Sequence, residues 1–256
     1  MPLTPCAGVA PRLFANYGPG PPARAAGWGA GAADNGIVDA QAVYGQYLLD
    51  GHGVARDPAA AFNWFRHAAR AGHAMAMNML GRCYEFGWGT AACAPVAVYW
   101  YRLAAQAGLD WGMYNYATAL ALGNGVDENR ADALDWFRRV AALGHAKSIN
   151  LIGGFYEDGW VVPVDRDAAF DHYRRAAEAG DFRGEFNYAR LLAERGRTDE
   201  ALTWLARVPA TATPAFVAKM RAYLASSPID AFRAAALDLP TPPRPQPQPH
   251  CMESVS

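Results

Sequence analysis

The sequence predicts an all-α fold: an α/α superhelix, or solenoid, of stacked helix-turn-helix repeats with a 36-residue period. Three observations carry this. Gly51, Gly87, Gly123 and Gly159 stand 36 residues apart, each opening a similar four-residue stretch such as Gly51-His52-Gly53-Val54. A second series, Gly36, Gly72, Gly108, Gly144 and Gly180, keeps the same step without insertion. Between the glycines the apolar residues follow helical intervals: Ala76, Leu80, Tyr84 in the first half of a unit, and Ala61, Trp64, Ala68, Gly72 in the second. Self-similarity at such a period marks a repeat architecture. A lone helix pair cannot bury its stripe, so about five pairs should stack into a right-handed superhelix.

Residues 1–20 read as a flexible segment with Pro and Gly prominent, and the solenoid as residues 21–239. In "PPARAAGWGAGAADNG", Ala25, Trp28, Ala32 and Ala33 fall in the columns of a second helix, so this stretch reads as a degraded capping helix; its glycines disfavour a stable isolated helix. Units follow near 36–71, 72–107, 108–143, 144–179 and 180–209. In each, a small residue (Gly45, Gly81, Ala117, Gly153, Ala189) lets the second helix approach the first. A Trp-aromatic pair such as Trp64-Phe65 or Trp100-Tyr101 fills the gap between neighbouring units. A Gly-x-Gly beside a helix can cradle phosphate. Here it recurs with no Lys-Ser/Thr behind it, so Gly51 and its equivalents stop the first helix and turn the chain. Asp57 before Pro58, Asn129 and Asp165 then cap the second helices.

The fifth unit loses four residues in its turn, which places Ala201 and Trp204 early. Thr213-Pro214 and Ser227-Pro228 start two capping helices within 213–238. Residues 240–256 form a Pro-rich tail, extended or disordered, with a docking peptide as the alternative.

Composition excludes several functions. The net charge is −1 and the pI about 6.6, which supplies no drive toward nucleic acid or an anionic membrane. No apolar run is long enough for a membrane span. The start, "MPLTPCAGVAPRLF", lacks the pattern of a secretory signal, and Cys6, Cys83, Cys93 and Cys251 form no framework, so reduced thiols in a cytoplasmic compartment are expected.

The residues also supply no catalytic, cofactor or metal constellation. His73 and His145 share one column and His172 stands where other units have Trp, so the histidines follow the repeat rather than a ligand set. Glu85 and Glu157 lie two units apart, a poor acid/base pair. Cys93 occupies the capping column, where a thiol can become reactive; the alternative is a drifted surface position. Cys83 reads as a small buried apolar residue.

Binding is expected on the concave side, lined by the first helix of each pair. That helix has a second face at 3, 6, 10 and 13 residues after each closing glycine. It carries Met75, Asn78, Arg82 and Glu85; then Trp111 and Tyr114; then Lys147, Asn150 and Glu157; then Arg183, Phe186 and Arg190. Trp111, Tyr114 and Phe186 are large groups where the repeat needs none, and aromatic residues beside Arg are the composition of interface hot spots. The alternative is that Trp111 and Tyr114 pack against neighbouring helices. Asn78 and Asn150, with the shifted Asn115 and Asn187, resemble the asparagines that grip a peptide backbone in related helical repeats. The candidate groove is therefore Asn78, Arg82, Glu85, Trp111, Tyr114, Lys147, Asn150, Arg183, Phe186 and Arg190.

The columns resemble the Sel-1-like repeat, a relative of the tetratricopeptide repeat. The matching text is "AMNMLGRCYEFGWGTAACAPVAVYWYRLAAQAG" and "INLIGGFYEDGWVVPVDRDAAFDHYRRAAEAG". The resemblance covers about 36–180, while "ERGRTDEALTWL" beyond it looks more like a tetratricopeptide unit. It implies a non-enzymatic adaptor holding a protein or an extended peptide in the groove. A cysteine-rich branch of that family is linked to β-lactam and cell-wall binding, through cysteine pairs bridging each helix pair. Here only Cys83 and Cys93 lie in the repeats, in other columns, so that carry-over fails. The rival readings are a regulator of an enzyme or cell-wall-associated hydrolase-like protein, and a homo-oligomeric structural protein. Ala- and Arg-rich, Lys-poor usage points to a GC-rich, bacterial genome.

Overall fold

The computed structural model describes residues 22–239, and these are helical without any strand. The expectations for 1–20 and 240–256, with Cys6, His250 and Cys251, concern residues outside this range. The described chain forms two compact units that divide between His145 and Ala146. The first holds α1 (Pro22–Asp34), α2 (Val38–Asp50), α3 (Pro58–Arg70), α4 (Ala74–Phe86), α5 (Ala94–Gln106), α6 (Asp110–Leu122) and α7 (Arg130–Ala142). The second holds α8 (Ala146–Asp158), α9 (Arg166–Glu178), α10 (Phe182–Glu194), α11 (Thr198–Leu205), a 3₁₀ turn (Val208–Ala210), α12 (Pro214–Ala225) and α13 (Asp230–Asp238). Helix pairs of the 36-residue period stack in each unit, with the even-numbered helices from α2 to α10 as first helices. No helix among the described residues is long and apolar enough to cross a membrane.

The turn between the two helices of a pair shows why glycine repeats there. Gly87 ends α4 in the left-handed region at φ 71°, with its N–H donating to the Cys83 carbonyl. Gly89 follows at φ 69°, and a Cβ added to it would lie 2.1 Å from the Pro58 carbonyl oxygen. It is constrained both by its dihedral and by the backbone of α3 beneath it. The equivalent residue in the second unit is Val161, the one positive-φ non-glycine among the described residues, at φ 53°. The second helices start on side-chain caps: Asp57 accepts from the N–H groups of Ala59 and Ala60, Asn129 from Asp132, and Asp165 from Asp167 and Ala168. Cys93, in the same column, makes no side-chain capping bond.

The small column is a close approach between helices. A Cβ on Gly81 would sit 2.6 Å from the Tyr101 ring, and one on Gly153 2.6 Å from the Tyr173 ring. The Trp column behaves differently from the sequence expectation. Trp64 meets Tyr44 edge-on at 5.8 Å and Trp136 meets Tyr116 at 5.7 Å, each within its own pair. Phe62–Tyr84 at 5.4 Å and Phe170–Tyr188 at 5.0 Å bridge successive pairs instead. Two residues along a helix turn by about 200°, so Phe62 and Trp64 face opposite neighbours. His73, which follows the closing glycine Gly72, is also structural: it caps α4, its Nδ1 accepting from the Ala76 N–H at 3.0 Å.

Where the fifth pair loses its turn, only Arg195 to Arg197 link α10 to α11, and α11 shortens to 8 residues. The next helix, α12, then lies on α10. Phe216 packs against Phe182 at 4.8 Å and Phe186 at 5.7 Å, and Tyr223 against Phe186 at 5.2 Å.

Candidate binding face

In the first unit the face is built by α4 and α6. Trp111 and Tyr114 stand one turn apart on α6, both half-buried, with ring centroids 5.9 Å apart. His145 completes the cluster, 4.9 Å from Trp111 and 5.0 Å from Tyr114, and Tyr114 also touches Phe137 at 6.1 Å. On α4, the Arg82 guanidinium lies 5.0 Å over Trp88 and 5.9 Å over Phe86, two rings stacked at 5.0 Å. Phe86 is 54% exposed, so this shelf faces solvent. Glu85 is exposed and accepts a hydrogen bond from the Tyr101 hydroxyl of α5. His145, Trp88 and Tyr101 were not among the sequence candidates. Trp88 stands in a turn that reads as a spacer, and Tyr101 in a column that reads as core.

Asn78 does not line an open groove. It is 2% exposed, and its carbonyl oxygen accepts from the Asn115 amide at 2.8 Å. Asn150 is likewise buried and accepts from Asn187 at 2.9 Å. A buried amide must be satisfied, and here the amides of successive first helices satisfy each other. They clamp α4 to α6 and α8 to α10 instead of waiting for a peptide backbone.

The second unit spends more of its candidates on itself. Phe186 is covered by α12, as above. Arg190 is 18% exposed and donates to both oxygens of Glu157 at 2.6 Å, and to Glu194 at 3.2 Å. The Tyr173 hydroxyl donates to Glu157 at 2.7 Å. Lys147 is half-buried, and Arg183 is exposed with its guanidinium 4.7 Å over Phe182 and 5.7 Å over Phe216. Tertiary contacts thus engage both Phe186 and Arg190, which stay half-buried.

The electrostatics follow burial and partners. Burial pushes the Glu157 carboxyl up, but the hydrogen bonds from Arg190 and Tyr173, with the Arg190 charge, outweigh it and hold it below the ordinary carboxylate value. Burial and the adjoining glutamates push both the Tyr101 and Tyr173 phenols above their usual range. Burial raises the Cys83 thiol to about 12, with Arg82 pulling the other way, so this cysteine stays a protonated core group. Asp181, which caps α10 through the Gly184 N–H, and Glu185 are also raised, first by burial. Taken together, the first unit presents ring faces, a guanidinium and a carboxylate. These groups suit holding a polypeptide.

The Sel1 repeat family model matches residues 38–73, 74–109, 112–145 and 146–181, more than half of the chain. A Sel1 repeat protein from Oxalobacter formigenes has a crystal structure that aligns with TM-score 0.65 and 28% identity, over 76% of this chain and 82% of that one. The c5321 protective antigen of uropathogenic Escherichia coli, which displays an SLR fold, aligns with TM-score 0.67 and 23% identity over 84% of this chain. The chain spans about half of the length of c5321, 49%. The immunity protein Pa5087 of Pseudomonas aeruginosa shares the fold at TM-score 0.54 and 16% identity, over 80% of this chain and 76% of that one. No curated protein sequence matches the chain.

Proposed function

The chain belongs to the Sel1 repeat family, whose members are generally protein-interaction scaffolds, and on that premise we propose that it is a non-catalytic adaptor holding a protein or an extended peptide on the first-helix face of its first unit. The observation that carries this is the grouping of Trp111 and Tyr114 on α6 with His145 in the loop after α7, beside the Arg82–Trp88–Phe86 shelf on the neighbouring α4 and the turn that follows it. Tyr114 reaches the seam of its own pair at Phe137, which Tyr116–Trp136 and the small column also close, while Trp111 meets His145 and Tyr114. Rigid aromatic groups beside an arginine are what interface anchors are made of. The second unit supports less of this reading, because α12 covers Phe186 and Glu157 holds Arg190.

The test is an affinity pull-down from the source cell with two baits. One is the full chain; the other carries Trp111→Arg and Tyr114→Glu and is shown by circular dichroism to stay helical. A partner held by the first and lost by the second supports the reading. The same partners on both baits would overturn the assignment of the face. Light scattering reads the rival in which the partner is a second copy: a monomer at every concentration excludes it.

A further inference from the structure

We infer that the first unit contains a receptor pocket for an arginine side chain of the bound polypeptide, and that the second unit displays the same pocket already filled by its own Arg190. The inference rests on the scaffold reading above and names the chemistry of one anchor.

The two units repeat each other at a spacing of two periods. Asn78 and Asn150, Glu85 and Glu157, Tyr101 and Tyr173, and Asn115 and Asn187 are each 72 residues apart. Each set makes the same contacts: an asparagine clamp between first helices, and a tyrosine hydroxyl donating to the glutamate. They differ at the remaining corner. In the second unit that corner is Arg190, whose guanidinium reaches both oxygens of Glu157 at 2.6 Å. In the first unit it is Thr118, whose hydroxyl turns away and donates to the Tyr114 carbonyl at 2.8 Å. A cavity of about 70 Å³ opens in its place, lined by Glu85, Tyr101, Asn115, Thr118 and Leu122 among others.

The chemistry of this space is specific. Glu85 has one oriented hydrogen bond, from Tyr101, where Glu157 has Arg190 as well. Tyr101 holds the carboxylate as Tyr173 holds its counterpart, so its acceptor geometry is set in advance. A water needs about 10–15 Å³ of such volume, so a planar guanidinium fits. A guanidinium can present two parallel N–H groups to a carboxylate, while an ammonium offers a point charge. At the rim, Leu122 is 70% exposed where the second unit has Glu194. An apolar rim suits the methylene stem of an incoming arginine. Arg82, the cation on α4, lies over Trp88 and Phe86, and its charge also acts on the Tyr101 phenol.

The experiment uses the full chain, labelled with nitrogen-15, titrated with acetyl-Ala-Arg-Ala-amide. The controls are the same tripeptide with lysine or with neutral citrulline. The arginine peptide should shift the amides around Glu85 and Asn115, with an affinity about tenfold above either control, as expected for a charge-assisted bidentate pair. Glu85→Gln should remove that preference. Thr118→Arg should fill the pocket from within, abolish the response and raise the melting temperature. An equal response to all three peptides, or an arginine preference that survives Glu85→Gln, would overturn the pocket. The scaffold reading is separable: a pull-down partner lost by the Trp111/Tyr114 variant but retained in full by Thr118→Arg leaves the scaffold standing and sinks the arginine anchor.

Discussion

Replacing Arg190 with Met tests how much the second unit relies on its internal clamp. Met keeps an unbranched stem of similar reach and removes the guanidinium. Glu157 then loses two contacts of 2.6 Å, in a pair whose side chains are 18% and 19% exposed. An exposed ion pair contributes about 0–1 kcal/mol. Removing one partner of a fully buried pair costs about 3–5 kcal/mol. This pair is mostly buried and Glu157 keeps the Tyr173 hydroxyl, so the expected loss is about 2 kcal/mol. The pH dependence has a definite sign. Against the upward push of burial, Arg190 and Tyr173 hold the Glu157 pKa below its unfolded value. Such a group contributes stability above the unfolded value, about 4.3, and loses it as pH falls through the folded value. The advantage of the wild type should therefore be full near neutral pH and shrink as the pH falls below the ordinary carboxylate range. Urea unfolding followed by circular dichroism measures it, and hydrogen exchange should show the loss in α8, α9 and α10. A double-mutant cycle with Glu157→Gln isolates the pair. A loss below about 0.5 kcal/mol near neutral pH, the scale of an exposed pair, or a loss independent of pH, would refute the reasoning.

Three further outcomes are expected. Cys93→Asp should raise stability by about 1 kcal/mol, because the helix it precedes lacks the side-chain cap that Asp57 and Asp165 give theirs; paired melting curves check this. Val161→Gly should stabilise by about 0.5–1 kcal/mol, since relief of a β-branched residue at φ 53° exceeds the entropy cost of glycine; denaturant midpoints with unchanged slope check it. Glu185→Gln should stabilise by about 1 kcal/mol near neutral pH, because Glu185 is 4% exposed and its Oε2 is buried without a hydrogen-bond partner. Burial raises the Glu185 pKa against the pull of Arg207, so the native state is destabilised as pH rises through the folded value. The gain from the substitution should accordingly fade as pH drops toward the ordinary carboxylate range, and a gain that grows on acidification would contradict this.

By itself the sequence determined the period, the helix pairs, the glycine turns and the asparagine and aspartate caps. These are local matters: a glycine in the left-handed region, an Asp before a second helix, or a small residue opposite an aromatic leaves its mark in its own column and repeats every 36 residues. The family follows from the same columns. The candidate face was read from those columns too, and there the outcome was uneven. Glu85 is exposed, and Trp111, Tyr114 and Arg82 are half-buried. Asn78 and Asn150 are buried and paired with Asn115 and Asn187, which sit one residue out of phase with them on the next first helix. Phe186 is covered because the loss of the fifth turn brings α12 onto α10. Arg190 is consumed because a second-helix tyrosine orients Glu157 toward it, while the matching residue in the first unit is a threonine that bonds its own backbone. A repeat pattern encodes which face of a helix meets its neighbour. Which of the remaining side chains stays available depends on contacts between residues far apart in the chain, and these were decided only by the tertiary structure.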